Sequence, residues 1–410
     1  MQEKDRLRVL SVYEGFFSGG ARMLHTDAVI GLHEGGGQRH SVLSMHGEMH
    51  REATRQRMED DACYARLTAA GVPVTSLGRH ADPGGGLQPS AGLPLTAGPQ
   101  FSTAELAATA RLAAEADVVL SLKEQPLGLL NQAVPAHRPV VVCLHRSDPE
   151  NQGPALDDLR AAVAAGRVAA CVCCAESTRD AYVAAGVPAG LMHVIPNGVD
   201  LLRFRPDPVR RVLLRASLRI PPTAPVIVFA ARYAEMKNVP LFLRAARAYL
   251  RREPRARLLL CGAGMTAENL GLLADIAAAF ADRPRLAGRL SLLGVRLDME
   301  AVYAAADVVS LTSSNGEAAP LCLIEGMMCG AVPVATDVGD CVSIVAGHGF
   351  VTQPDPEAIA AAWSEAAARR TELAPSLASS RERFSRTRMV SSYATLLDRV
   401  HRESGRVALH

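Results

Sequence analysis

A chain of 410 residues exceeds one ordinary hydrophobic core and calls for two domains. Its net charge of +2, with both signs interspersed, gives the whole molecule no electrostatic bias toward nucleic acid. Although 49% of the residues are apolar, no run of roughly 18 uncharged apolar residues occurs, so no transmembrane helix is expected.

The charged stretch Met1 to Arg8 leads directly into Val9-Leu10-Ser11-Val12, without the long apolar core and small-residue cleavage site of a signal peptide, which points to the cytoplasm. Short β-rich runs then alternate with Ala/Leu/Arg-rich stretches of helical period, the pattern of repeated βα units around parallel sheets. Strands are predicted near 7–12, 41–45, 116–121, 139–144, 168–173 and 191–195. His33, His40, His46 and His50 are spaced by seven, six and four, and Gly35 to Gly37 intervene. That spacing does not put three rings on one helix face, so they read as loop and surface histidines and not as a metal set. Residues 78–100, with Pro83-Gly84-Gly85-Gly86, Pro89, Pro94 and Pro99, sustain neither helix nor central strand and read as a surface loop. Nine cysteines in such a chain are core filler and not a disulfide framework.

In Ile195-Pro196-Asn197-Gly198, proline removes an amide donor and Asn-Gly favours a turn, which sets the boundary between domains 1–197 and 198–380. The second domain repeats the pattern, with strands near 225–230, 256–261, 289–293, 307–311 and 332–335. The basic stretches Arg203 to Arg219 and Arg244 to Arg257 read as solvated faces, and any membrane contact would be peripheral. The final helix, 381–400, places Met389, Val390, Tyr393, Leu396 and Leu397 on one face and is expected to pack back on the first domain.

The chemistry concentrates between Ser313 and Thr336. After a strand come Asn315-Gly316-Glu317-Ala318-Ala319-Pro320-Leu321, then a helix carrying Glu325 and ending near Gly330. Proline suits the first helical position, and the amides of Ala318, Ala319 and Leu321 at a positive helix end suit phosphate or sugar oxygens. This stretch resembles the glutamate-x7-glutamate signature of the retaining GT-B glycosyltransferases of family four. The resemblance implies that Glu317 lies beside the donor hexose and that Glu325 binds the ribose hydroxyls. A surface glutamate followed by a helix-start glutamate is the alternative.

Further stretches match the same family in the same order. Val228 to Asn238 resembles the segment whose cations grip the donor pyrophosphate, which assigns Arg232 and Lys237. Gly19 and Gly20 resemble the N-terminal glycine loop, and His145, at a strand end, the histidine that meets the donor sugar. A structural strand-end histidine is the alternative for the last. Gly262 belongs to a glycine turn and Val295 to the turn that meets the nucleobase edge. The resemblance implies an α/β GT-B fold, with two facing Rossmann-like domains, parallel sheets and a cleft between them. It implies transfer of a sugar from a nucleotide-diphospho-sugar of UDP or GDP type to a small-molecule, natural-product or glycan acceptor, with retained configuration and no metal or other cofactor. The catalytic set is His145, Arg232, Lys237 and Glu317. Monomer and homodimer both stay open.

Rival readings are a dinucleotide oxidoreductase, from Gly262-Ala263-Gly264-Met265-Thr266-Ala267, and a glycoside hydrolase using Glu317 and Glu325. The first lacks the ribose-binding acid at the end of the next strand. The second needs carboxylates about 5 to 10 Å apart, whereas eight residues of helix span about 12 Å. A catalytically silent sugar-nucleotide-binding protein, or a GT-B sugar-phosphate synthase or epimerase, remains the alternative function.

Overall fold

The computed structural model describes residues 6–17, 19–51, 54–80 and 101–407. Ser18 of the glycine loop and residues 81–100 lie outside these. Two compact units emerge: residues 1–198 together with 386–410, and residues 199–385.

The first unit is built on β1 (Leu7–Tyr13), β2 (Gln38–Arg51), β3 (Thr54–Arg57), β4 (Val74–His80), β5 (Val118–Leu122), β6 (Val140–Leu144), β7 (Val168–Cys173) and β8 (Met192–Val194). Their order is β3-β2-β1-β5-β6-β7-β8, with β4 also on β2, and every pairing is parallel except β2 with β3. All residues of Val118–Leu122 and Val140–Leu144 are buried. Such near-continuous apolar runs, with Ser121 the one polar member, suit strands covered on both faces, which is why they read so clearly in sequence. Because β1 pairs with β2 on one side and β5 on the other, the chain reverses direction across the sheet at β1/β5. The helix Gly20–Glu34 follows β1. The long helix Arg386–Val407 packs on it closely, since a Cβ at Gly31 would fall 2.7 Å from Val390 Cγ2.

The second unit holds β9 (Val226–Ala230), β10 (Arg257–Cys261), β11 (Leu290–Gly294), β12 (Val308–Leu311), β13 (Val332–Thr336) and β14 (Phe350–Thr352), ordered β11-β10-β9-β12-β13-β14 and wholly parallel. Its reversal point is β9/β12. Phe229, Phe242 and Trp363 stack in its core with ring centroids 4.5 and 5.2 Å apart, and the indole Nε1 donates to Ser310 Oγ at 3.0 Å. At the entry to β12, Asp307 accepts from Arg211 at 2.6 Å, Arg215 at 2.8 Å and the Val226 amide at 2.8 Å.

Several expectations need correction. β3, β4 and β14 were not anticipated, and residues 78–80 belong to β4 and not to a loop. The histidines are not loop residues: His33 lies in the last turn of a helix, while His40 and His46 lie on β2, with His40 fully buried. His40 answers its burial by bonding Gln38 Oε1 at 3.0 Å.

Candidate active site

Parallel α/β sheets offer ligands the crevice at the carboxyl ends of their strands where the strand order reverses. In the second unit that is the end of β9 and β12, and the two loops leaving these strands carry most of the residues singled out above. From β9 the chain passes through Arg232 into one 3-10 turn, Glu235–Lys237, and then Asn238, whose left-handed φ of 48° and side chain open the helix Val239–Arg252. From β12 it passes through Ser313 and Glu317 to the helix Leu321–Met328. Amide and hydroxyl bonds fix the two loops together: Ser314 N donates to Met236 O at 2.9 Å and Thr312 Oγ1 to Lys237 O at 3.2 Å. Thr336 Oγ1, from β13, holds Ser313 O at 2.7 Å.

The result brings Lys237 onto Glu317. The ammonium bonds Glu317 Oε1, which also accepts from Ser313 Oγ at 2.6 Å. The lysine side chain is 16% exposed and the glutamate 8%, so the charges meet where water screens them little. Gly339 presses on the Glu317 carbonyl with φ +59°, and a Cβ there would fall 2.7 Å from Glu317 C. Arg232 lies half-buried on the same loop as Lys237. Gly262, at φ +132°, would place a Cβ 3.1 Å from Arg232 N, so its lack of a side chain seats the Arg232 loop.

Glu325 is buried on the helix Leu321–Met328. Tyr303 stands beside it; burial and that carboxylate hold the phenol well above its ordinary pKa, so it stays protonated and serves as a donor. Pro320 is the residue before the helix and not its first turn, so the unpaired helix-start amides are Leu321, Cys322 and Leu323. Ala318 and Ala319 precede the helix, and the Ala318 carbonyl accepts from Asp340 N at 2.8 Å. Because Glu317 is outside the helix, the helical ruler that separated it from Glu325 does not apply. The two carboxylates are instead held by different partners, Lys237 and Tyr303. Val295, after Gly294 at φ +61°, is 66% exposed.

In the first unit, the reversal point holds the predicted Gly19, Gly20 and His145 together with groups that sequence reasoning left without a role. Gly19 has an extended backbone at φ −175°, and a Cβ there would meet only Phe17 O at 3.9 Å; Gly20 opens the helix. Neither conformation nor packing requires glycine at position 19. Arg22, in the first turn, is buried with its guanidinium 5.0 Å from the Tyr13 ring and 5.2 Å from the Phe16 ring, and its Nε and Nη1 have no hydrogen-bond partner among the described residues. One turn on, His25 Nδ1 meets Tyr13 Oη at 2.8 Å, while its Nε2 is unpartnered. His145 follows β6 directly; burial and then the Lys123 charge lower its pKa to about 3, leaving a neutral ring with a buried Nε2 that has no partner among the described residues. Lys123 sits in the left-handed region at φ 68°, a strained state for a non-glycine residue. Burial raises Glu124 to about 7, and one of its carboxyl oxygens has no partner among the described residues. Lys123 and Glu124 were findable, since they close a predicted strand at the ligand-facing edge. Among the described residues no three His, Cys, Asp or Glu side chains are placed to hold a metal ion, and no helix is long and apolar enough to cross a membrane.

Two parallel-sheet, Rossmann-like units, with charged loops at a strand-order reversal, define a GT-B fold. Residues 224–369 match the model of the group 1 glycosyl transferases, and residues 63–203 that of glycosyltransferase family 4. The chain belongs to this family. Similar proteins include the D-inositol 3-phosphate glycosyltransferases of Segniliparus rotundus, 33% identical over 148 residues, and Saccharomonospora viridis, 36% identical over 162 residues. Each match covers 36% of this chain, and it spans 32% and 35% of those relatives, about a third of their length. Among solved structures, HepE of Anabaena in complex with UDP aligns with TM-score 0.76 at 23% identity, over 96% of this chain and 100% of that one. A glycosyltransferase of Rickettsia africae aligns with TM-score 0.72 at 15% identity, over 97% and 99%. These two likenesses carry the fold.

Proposed function

We propose that the chain is a retaining glycosyltransferase that moves a sugar from a nucleotide-diphospho-sugar of UDP or GDP type to a small-molecule, natural-product or glycan acceptor. The observation that carries this reading is the meeting of Lys237, Ser313 and Glu317 at the reversal point of the second sheet, with Glu325 on the helix that follows. Lys237 and Arg232 supply two cations for the diphosphate, and the amides of Leu321 to Leu323 add a positive helix end. Glu325 accepts two ribose hydroxyls, its position kept by Tyr303. Glu317 faces the hexose in this reading, and His145, assigned by family resemblance, meets the sugar as well, as a neutral ring able to donate or accept but not to carry charge.

As the bond from the anomeric carbon to the diphosphate oxygen breaks, both electrons go to that oxygen, and the cations stabilise the charge. The acceptor hydroxyl attacks from the same face and its proton passes to the departing phosphate, which accounts for retention without an enzymatic nucleophile. With these cations in place, no metal is needed, and the cytoplasm is the proposed location. The relatives named D-inositol 3-phosphate glycosyltransferases support transfer chemistry, and HepE, solved with UDP-glucose, makes UDP the first nucleotide to test.

The test is a thermal-shift screen of the full chain against UDP, GDP, ADP and TDP. A nucleotide at a hundred times its dissociation constant adds about 2.7 kcal/mol of stability. No shift with any of the four removes the donor-site reading.

A further inference from the structure

The helix Pro208–Ser217 of the second unit is built inside out. Its inward face carries Arg211, Leu214 and Arg215. Arg215 is 3% exposed, bonded to Asp307 and to the carbonyls of Ala305, Pro222 and Ala224, and Arg211 reaches Asp307 and the carbonyls of Ala304 to Ala306. The opposite face carries Val209, Val212 and Leu213, which are 66%, 66% and 64% exposed. Positions i, i+3 and i+4 form one stripe, so these three side chains stand side by side in water. Leu202, 83% exposed, is next to Arg203, and Arg203 and Arg210 share the Glu300 carboxylate. A surface helix ordinarily turns this face to the core; here the core side is taken by the arginine cluster on Asp307, and the apolar stripe is left outside.

Two exposed arginines, Arg205 and Arg219, flank the helix in sequence, while Arg210 is paired with Asp207 and Glu300; Asp207, the one acid between Leu201 and Arg219, also accepts from the Val209 and Arg210 amides of the helix start. An apolar stripe one helix wide with arginines flanking it in sequence matches the boundary of an anionic bilayer, where the aliphatic groups enter the acyl margin and the guanidinia stay among the headgroups. A protein partner of matching shape would need acids around an apolar groove; an anionic bilayer supplies both without a fixed shape. We infer that the face Val209, Val212 and Leu213, with Arg205 and Arg219, docks this protein on an anionic lipid surface.

The test needs no sugar nucleotide, so it stands or falls apart from the transferase reading. The full chain is sedimented with phosphatidylcholine vesicles and with vesicles containing one quarter phosphatidylglycerol. The expected result is strong binding to the second and weak binding to the first. Leu213→Asp should lower binding at least tenfold, and Arg205→Glu with Arg219→Glu should lower it by more than the about fivefold that each lost cation contributes. All these side chains are exposed, and an unchanged melting temperature in each variant confirms the fold. Equal binding to both vesicle types, binding to neither, or binding unaffected by Leu213→Asp would overturn the inference. So would a concentration-dependent dimer, seen by sedimentation velocity and abolished by Leu213→Asp, in a chain that ignores vesicles, because the face would then belong to a second copy.

Discussion

The Lys237 and Glu317 pair makes a prediction that separates nucleotide binding from sugar chemistry. Without ligand, the lysine is committed to the glutamate, and a diphosphate must draw it away or share it. Replacing Lys237 by Met leaves a carboxylate with 8% exposure short of its cation, though still bonded to Ser313 Oγ. Loss of one partner from a fully buried pair costs about 3–5 kcal/mol. With the lysine 16% exposed and the hydroxyl retained, about 2 kcal/mol is the expected loss. For a domain of this size that lowers the melting temperature by about 4–8 °C. Glu317→Gln keeps a hydrogen-bonding group toward Ser313 and frees a flexible ammonium, so its cost stays under about 1 kcal/mol. In UDP titration calorimetry, Lys237→Met should weaken binding about 5- to 30-fold, the value of about one to two kcal/mol lost at a charge-assisted bond. Glu317→Gln should leave UDP affinity equal or tighter, while transfer from the sugar nucleotide falls about a hundredfold. Equal weakening of UDP binding by both substitutions would refute the assignment and move Glu317 to the nucleotide.

Glu325→Gln should weaken UDP binding at least tenfold with little loss of melting temperature, and unchanged affinity would separate Glu325 from the ribose. Turnover should persist in excess EDTA; loss restored by magnesium or manganese would contradict a diphosphate held by Arg232, Lys237 and a helix start. His25, His40 and His145 are all held neutral by burial, the last two at about 3. Their folded pKa values lie below the unfolded value near 6.5, so the stability they confer is present above pH 6.5 and is lost as pH falls toward 3. Glu124, raised to about 7, has the opposite sign: its contribution is present below pH 4.5 and is lost as pH rises through about 7. Between pH 6 and 5 the three rings outweigh the one carboxyl, so stability should fall as the pH is lowered across that interval. A melting temperature that is flat over that interval would show the histidines to be accessible. By the same logic Glu124→Gln should raise the melting temperature at pH 8 and change it little at pH 5.

How much of this was legible in the sequence follows from which force sets each feature. The central strands could be read because burial on both faces demands unbroken apolar runs such as Val140–Leu144. β3, β4 and β14 escaped because they lie at or beside sheet edges, where half-polar segments such as Thr54–Arg57 carry no such pattern. Glu317, Glu325, Arg232 and Lys237 were located by motif, but their partners were not: Ser313 and Tyr303 reach the site only through strand pairing and helix packing. Arg22 was visible inside the glycine stretch, yet nothing local to it announces that its guanidinium is buried against Tyr13 and Phe16. His40 was misplaced because a lone histidine in a mixed segment looks exposed until the register of β2 against β1 puts it beside Val9.

β12 carries buried charge at both of its ends, and the difference between them tells which charge is structural. At its entry, Asp307 is gripped by two arginines and a backbone amide, and Arg215 is almost wholly withdrawn from water. Planar guanidinia with several fixed donors lose little entropy in such a cluster and release it only at the cost of several buried bonds. Beyond its exit, Glu317 is held by one lysine, whose ammonium turns freely on a flexible stem and keeps some contact with solvent. Such a cation can be handed from a carboxylate to a phosphate without uncovering a core. The same strand thus uses arginine where a bond must not move and lysine where it must, and the exchangeable end is the one at the carboxyl edge, where a parallel sheet presents its ligand site.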